Sequence, residues 1–192
     1  MKKWLMGTAI LAAISVSAGA AAAATSTWQL DPMHCDAEFS VRHFGISTVR
    51  GEFSKISGTV VLDDEDISKS SVNATIGVDS INTRVENRDK DLKSQKFFDV
   101  ADYPTMTFQS TKIWKTGDGT AKMNGNLTIR GVTKEVTFDV TGPSAPVNMM
   151  GARRGASATT KISREEFGVS ADKGMIGDEV TITLDIEMTQ QK

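Results

Sequence analysis
Apolar and polar residues alternate with a period of two through most of the chain after residue 35, the signature of half-buried strands. Ala37, Phe39 and Val41 share one face, opposite Asp36, Glu38, Ser40 and Arg42. The pattern recurs in Val72, Ala74, Ile76 and Val78, and again in Met106 and Phe108. Met123, Leu127 and Ile129 form a further strand, as do Val136, Phe138 and Val140. The cleanest stretch is Val180, Ile182, Leu184, Ile186 and Met188 against Thr181, Thr183, Asp185 and Glu187. A weaker, Ala-rich strand is expected over Thr159–Ile162, and Arg50–Leu62 reads as a strand broken near Gly58.

Turn-forming residues separate these runs. Gly117-Asp118-Gly119 reads as a hairpin tip, Gly131–Lys134 as a second connection, and Gly142–Gly151 as a long loop. One segment breaks the pattern. Arg84–Lys96 is densely charged and free of Gly and Pro, with Thr83 and Glu86 spaced as a capping box, so it predicts a surface helix. Val85, Leu92, Phe97 and Phe98 would anchor it. About eight short strands with one apolar face each predict an all-β antiparallel barrel with one short surface helix, since closure removes the exposed edges. An interior of that size is either filled by side chains or open to one small ligand. Alternation cannot decide between these, because core and lumen residues occupy the same face. Ala37, Ala74, Gly125, Ala156 and Ala158 are small; Phe39, Phe108, Phe138, Trp114, Met106, Met123 and Met188 are large enough to fill the space they leave or to line a tunnel.

Composition bounds the setting. Residues 1–24 begin with Lys2-Lys3, continue through an apolar run and end in Ala22-Ala23-Ala24, which reads as a cleaved secretory signal. Residues 25–192 are then a single domain exported to an oxidising compartment. The leader holds two of the 22 Lys+Arg and none of the 24 Asp+Glu, so the remainder is slightly more acidic than the whole chain at −2. With no basic cluster, nucleic acid is not an expected partner. No later run approaches the roughly 20 apolar residues of a membrane span. The single cysteine, Cys35, allows no internal disulfide.

Catalytic chemistry finds little to use. His34 and His43 are the only histidines. His34 and Cys35 would point to opposite faces of a strand, and zinc spacing is absent, so no metal, cofactor or catalytic site is expected. Asn73-Ala74-Thr75 and Asn126-Leu127-Thr128 match a glycosylation sequon but fall on strands behind a bacterial-type leader, so they read as coincidence.

A series of short motifs carries a resemblance. It begins with His34-Cys35, Phe39, Val41 and His43-Phe44, then Val49-Arg50-Gly51 and Phe53. Glu86-Asn87-Arg88-Asp89, Leu92, Ser94 and Phe97-Phe98-Asp99 follow, then Tyr103-Pro104-Thr105, Phe108 and Ser110. Gly125–Thr133, Arg164–Val169 and Gly177-Asp178-Glu179-Val180 complete it. In this order, from Trp28 to Glu187, they resemble the YceI family of secreted bacterial proteins. The resemblance implies a lipocalin-like barrel in the periplasm that binds a polyisoprenoid or similar amphiphile in its lumen, without catalysis. Cys35, Asp91 and Lys96 depart from the family's usual Ser/Thr, His and Asp. The expected ligand is an isoprenoid-type lipid, a quinone or polyprenyl phosphate. Phe39, Val41, Ile76, Val78, Met106, Phe108, Leu127, Phe138, Ile182 and Leu184 are the lumen candidates. His43, Arg50, Arg88 and Arg130 are candidates for a polar head group, because a guanidinium matches phosphate geometry; ties within the fold are their competing role. A non-binding envelope stress or structural protein, or a lipid-modifying enzyme, are the alternatives. A homodimer is expected only on the general frequency of symmetric pairs.

Overall fold
Two broken strands and one long one close the sheet. The computed structural model describes residues 25–191, so the leader lies outside the described residues. The strands are β1 (Ser26–Leu30), β2 (Asp36–His43), β3 (Ser47–Phe53), β4 (Ile56–Leu62), β5 (Ser71–Gly77) and β6 (Ile81–Asn82). After helix α1 (Glu86–Lys93) come β7 (Thr105–Gly117), β8 (Thr120–Ile129), β9 (Val132–Thr141), β10 (Val147–Asn148), β11 (Ala152–Ser163) and β12 (Ile176–Gln190). β1 and β2 form one stave interrupted at Asp31–Cys35, where Pro32 lacks the N–H a ladder needs. β3 and β4 form a second, interrupted at Ser54-Lys55. With β5, β7, β8, β9, β11 and β12 they make an eight-stave antiparallel barrel. β12 closes it, pairing with β11 from Arg153 to Ser163 on one edge and with β1 and β2 on the other.

The register defines two ends. The floor gathers Ser26, Leu62, the Gly117–Thr120 hairpin and Gln190. The mouth gathers the β2–β3 turn, the β8–β9 turn and the 164–176 segment. Helix α1 lies at the mouth, because β6 pairs with Glu52 and Phe53 of β3 immediately before it.

The barrel, its antiparallel pairing and its one α-helix among the described residues agree with the reading of the sequence. Several local expectations are corrected. The break in the second stave falls at Ser54-Lys55, while Gly58 stays inside β4; a Cβ there would lie 2.4 Å from the Asn73 carbonyl oxygen. The Ala-rich strand runs from Ala152 to Ser163, twelve residues, because both its edges are paired. The β8–β9 turn is Arg130-Gly131, both at positive φ, and Val132–Lys134 belongs to β9. Helix α1 is shorter than Arg84–Lys96 and has Val85 at its N-cap. Thr83 is instead buried one turn earlier, where Asp89 accepts from both its N–H (2.8 Å) and its hydroxyl (2.5 Å). Trp114 faces outward beneath Lys112. A bulge between Ser110 and Lys112 shifts the phase of β7 and turns Ile113 inward in its place.

Candidate ligand cavity
The interior is hollow. A cavity of about 740 Å³ runs along the barrel, within the usual range for small-molecule sites. Its wall comes from every stave: Phe39 and Val41 of β2, Ile76 of β5, Met106 and Phe108 of β7, Leu127 of β8, Phe138 of β9, and Ile182 and Leu184 of β12. Nine of the ten lumen candidates therefore lie on its lining. Val78 does not: β5 ends at Gly77, and Val78 is buried in the 3₁₀ turn that follows it.

Two glycines explain how large side chains can line a space without filling it. Gly51 pairs with Phe39, and a Cβ on Gly51 would lie 2.5 Å from the Phe39 ring. Gly125 pairs with Ser110, and Phe108 reaches over it diagonally: a Cβ on Gly125 would lie 2.3 Å from the Phe108 ring. Each ring lies over a missing side chain, flat along the wall. Ala37, Ala74, Ala156 and Ala158 also line the cavity and take little of it.

The floor is shut. Trp28 shares the inward face of Leu30, is 1% exposed, and lies under the Arg154 guanidinium at 5.1 Å. Arg154 is held by a bidentate pair with Asp64 at 2.7 and 2.8 Å, the geometry that favours Arg over Lys.

The mouth is polar. His43, Asn87, Arg88, Asp91, Arg164 and Asp172 line the cavity there, and the exposed Asn87 and Asp91 connect it to solvent. Arg88 donates through Nε and Nη2 to the hydroxyl and carbonyl of Thr83, both at 2.7 Å, which leaves its Nη1 side available. Lys96 bonds Asp172 at 2.9 Å and lies 3.9 Å from Asp91, joining the end of the α1 segment to the 164–176 loop. Those carboxylates hold the lysine's proton and raise its pKa, with the Asp172 hydrogen bond the main cause. Two of the three departures from the family pattern thus meet in one ion-pair group.

Of the head-group candidates, His43 and Arg88 reach the cavity; Arg50 and Arg130 do not. Arg50 is exposed on β3. Arg130 donates to the carbonyls of Gly168 and Gln95, fastening the β8–β9 turn to the mouth segments. Arg164 is a residue that sequence reasoning did not single out. Its buried guanidinium donates to the carbonyls of Val169, Ala171, Ile176 and Gly177 at 2.6–3.0 Å, and so shapes the whole loop. Its only early signal is its place at the head of the Arg164–Val169 motif.

The remaining polar cluster lies outside the cavity. At the β1–β2 break, Asp31, His34 and Glu187 come within 4.8 Å of one another. Arg153 already occupies their centre, donating to both carboxylates. The hydrogen bonds from His34 and then Arg153 hold the Asp31 carboxyl down at about 2. Cys35 is buried beside it and donates its thiol proton to the Glu187 carbonyl at 3.2 Å; desolvation raises its pKa.

A closed antiparallel barrel with a hollow apolar lumen and polar groups at its mouth is a lipocalin-like barrel. The YceI-like domain model matches residues 28–188, and the chain belongs to that family. It is 36% identical over 193 aligned positions to Protein YceI of Salmonella arizonae and to that of Salmonella paratyphi B, with both chains covered in full. Among solved structures it is similar to BcnA of Burkholderia cenocepacia, with a TM-score of 0.74 and 25% identity, covering 82% of this chain and 98% of that one. The YceI protein of Campylobacter jejuni gives 0.70 and 29%, covering 79% and 90%. A domain from Saccharophagus degradans, described as polyisoprenoid binding, shares the fold at a TM-score of 0.64 and 14% identity, over 85% and 98%.

Proposed function
We propose that this barrel binds a long isoprenoid-type amphiphile, a quinone or a polyprenyl phosphate, and stores or ferries it in the periplasm once residues 1–24 are removed. The observation that carries the reading is the hollow apolar lumen, with Trp28 buried at the floor end of the barrel and polar groups lining the cavity at the mouth. A prenyl tail needs no constellation of polar contacts. Each buried CH₂ contributes roughly 0.8 kcal/mol, so a long tail binds by length. The tail occupies the wall lined by Phe39, Ile76, Phe108, Phe138 and Ile182, and the head group rests at Arg88 and His43. The description of the Saccharophagus domain agrees with this ligand class. The protein acts by binding rather than by catalysis: its side chains at the mouth hold and orient a head group.

The test is organic extraction of the purified protein followed by mass spectrometry, together with titration of added prenol and quinone. A co-purified prenyl lipid and saturable uptake support the proposal. Repeated empty extracts, with no uptake of either compound, would reject it.

A further inference from the structure
A carrier of this kind must meet the surface that holds its lipid, and the two ends of the barrel offer different surfaces. At the mouth, the turn between β2 and β3 carries Phe44 and Ile46, which are 55% and 82% exposed. Met175, 43% exposed, stands beside them, because the Phe44 N–H donates to the Met175 carbonyl at 2.7 Å. Three exposed large apolar residues thus stand on adjoining backbone at one part of the rim. The turn is fixed rather than loose. Phe44 and Gly45 both adopt positive φ, the Ile46 N–H donates to the His43 carbonyl, and Arg42 braces the turn through Gly45 O (2.6 Å) and Thr48 Oγ1 (2.9 Å).

Three features identify what this part of the rim meets. It offers three large apolar residues, whereas a stable protein interface needs roughly 800 Å² from each partner. An interfacial lipid anchor needs only a few apolar groups beside a cation. Arg42 supplies that cation: its partners are a hydroxyl and a carbonyl, so its charge remains open to a phosphate. This part of the rim is also continuous with the cavity, since His43 on one side and Ile176 on the other line it.

We propose that Phe44, Ile46 and Met175 dock the mouth of the barrel on an anionic lipid bilayer, so that a lipid tail passes between membrane and lumen without crossing water. This rests on the lumen holding a lipid. The opposite end also exposes apolar residues, Met149 at 68% and Met150 at 98%. They stand on the loop at the floor, which Trp28 closes, so they serve as the control.

The experiment uses residues 25–192, which contain every stave of the barrel, because the apolar leader would itself bind lipid. Flotation with vesicles of phosphatidylethanolamine and phosphatidylglycerol is measured for the wild type, Phe44→Ser/Ile46→Ser and Met149→Ser/Met150→Ser. Each variant is checked for folding by circular dichroism against the wild type. The mouth variant should lose vesicle binding at least about tenfold, the floor variant should keep it, and Arg42→Gln should weaken binding only to vesicles containing phosphatidylglycerol. Absence of wild-type flotation, equal loss in both double variants, or a dimer abolished by Phe44→Ser/Ile46→Ser without vesicle binding would overturn the proposal. Prenol delivered in detergent separates this test from the lumen reading: the mouth variant should take it up like the wild type. If no form takes up prenol while flotation still depends on Phe44 and Ile46, the lumen reading fails and the docking surface stands.

Discussion

The floor and the mouth of the barrel close the same tube by opposite means. At the floor, one large ring does the work. Trp28 fills the end, Arg154 covers it, and Asp64 fixes Arg154. The loop beneath is bound to itself: Asp63 accepts from the N–H groups of Glu65 and Asp66, and Ser70 Oγ accepts from the Asp63 N–H. Arg154 Nε alone is left without an acceptor among the described residues. At the mouth, the buried Phe97 and Phe167 line the cavity beside the polar groups, and loops frame the end. Arg164 shapes a loop through four carbonyls, Arg130 ties a turn to it, and Lys96 spans to Asp172. Large apolar side chains there point into solvent. The floor is built to stay shut, while the mouth is built from fixed loops around a gap. A hollow barrel needs both, because apolar burial lost along the axis must be recovered at one end.

Substitutions can break this contrast, and their effects should descend in order. Trp28→Ala removes the floor and opens a void under Arg154; it should cost about 3–5 kcal/mol in urea unfolding, since no neighbour can fill the space. Arg164→Leu should cost less, about 1–3 kcal/mol, through carbonyls left unpaired. It should also speed hydrogen exchange across residues 165–177 while leaving the floor protected. Equal protection in that loop would show that Arg164 does not hold the mouth. Arg88→Leu should cost about 1 kcal/mol through the two bonds lost to Thr83 and weaken binding of a polyprenyl phosphate by about tenfold. A neutral prenol should bind unchanged; equal weakening of both would remove Arg88 from head-group recognition. The smallest effect is at the β1–β2 break. Asp31 titrates at about 2 in the folded barrel rather than 3.8. A depressed carboxyl stabilises the fold fully above its unfolded value and loses that contribution as pH falls through its folded value. Between about pH 4 and pH 2 the wild type should therefore lose more stability than Asp31→Asn, measured by chemical unfolding at each pH.

The period-two pattern made most staves, the inward face and the barrel readable, because each side chain's direction is set by its neighbours along one strand. What escaped depends on partners far away in sequence. The bulge at Ser110 reverses the phase of β7, so Trp114 counts as inward until its pairing with β8 is known. Arg164 finds its partners in carbonyls, which no residue type announces. Thr83 looks like an N-cap by spacing, yet Asp89 takes its hydrogen bonds. The hollow interior was the hardest feature to read. Phe39 opposite Gly51, and Phe108 beside Gly125, are its marks, but they become a signal only when cross-strand register places ring over glycine. Arg88 and His43 could be ranked above Arg50 and Arg130 only once the mouth was located.

The central claim is that the lumen, and not the outer surface, holds the lipid tail. Ala74 lines the cavity on β5 and is small. Titration of a long-chain prenol into the wild type and into Ala74→Trp, with circular dichroism and urea unfolding on both, tests the claim directly. Saturable binding to the wild type, lost in a variant that stays folded and close to wild-type stability, is the predicted result. Equal binding by both proteins, or a variant destabilised by the roughly 1–3 kcal/mol of an overpacked core, would contradict it.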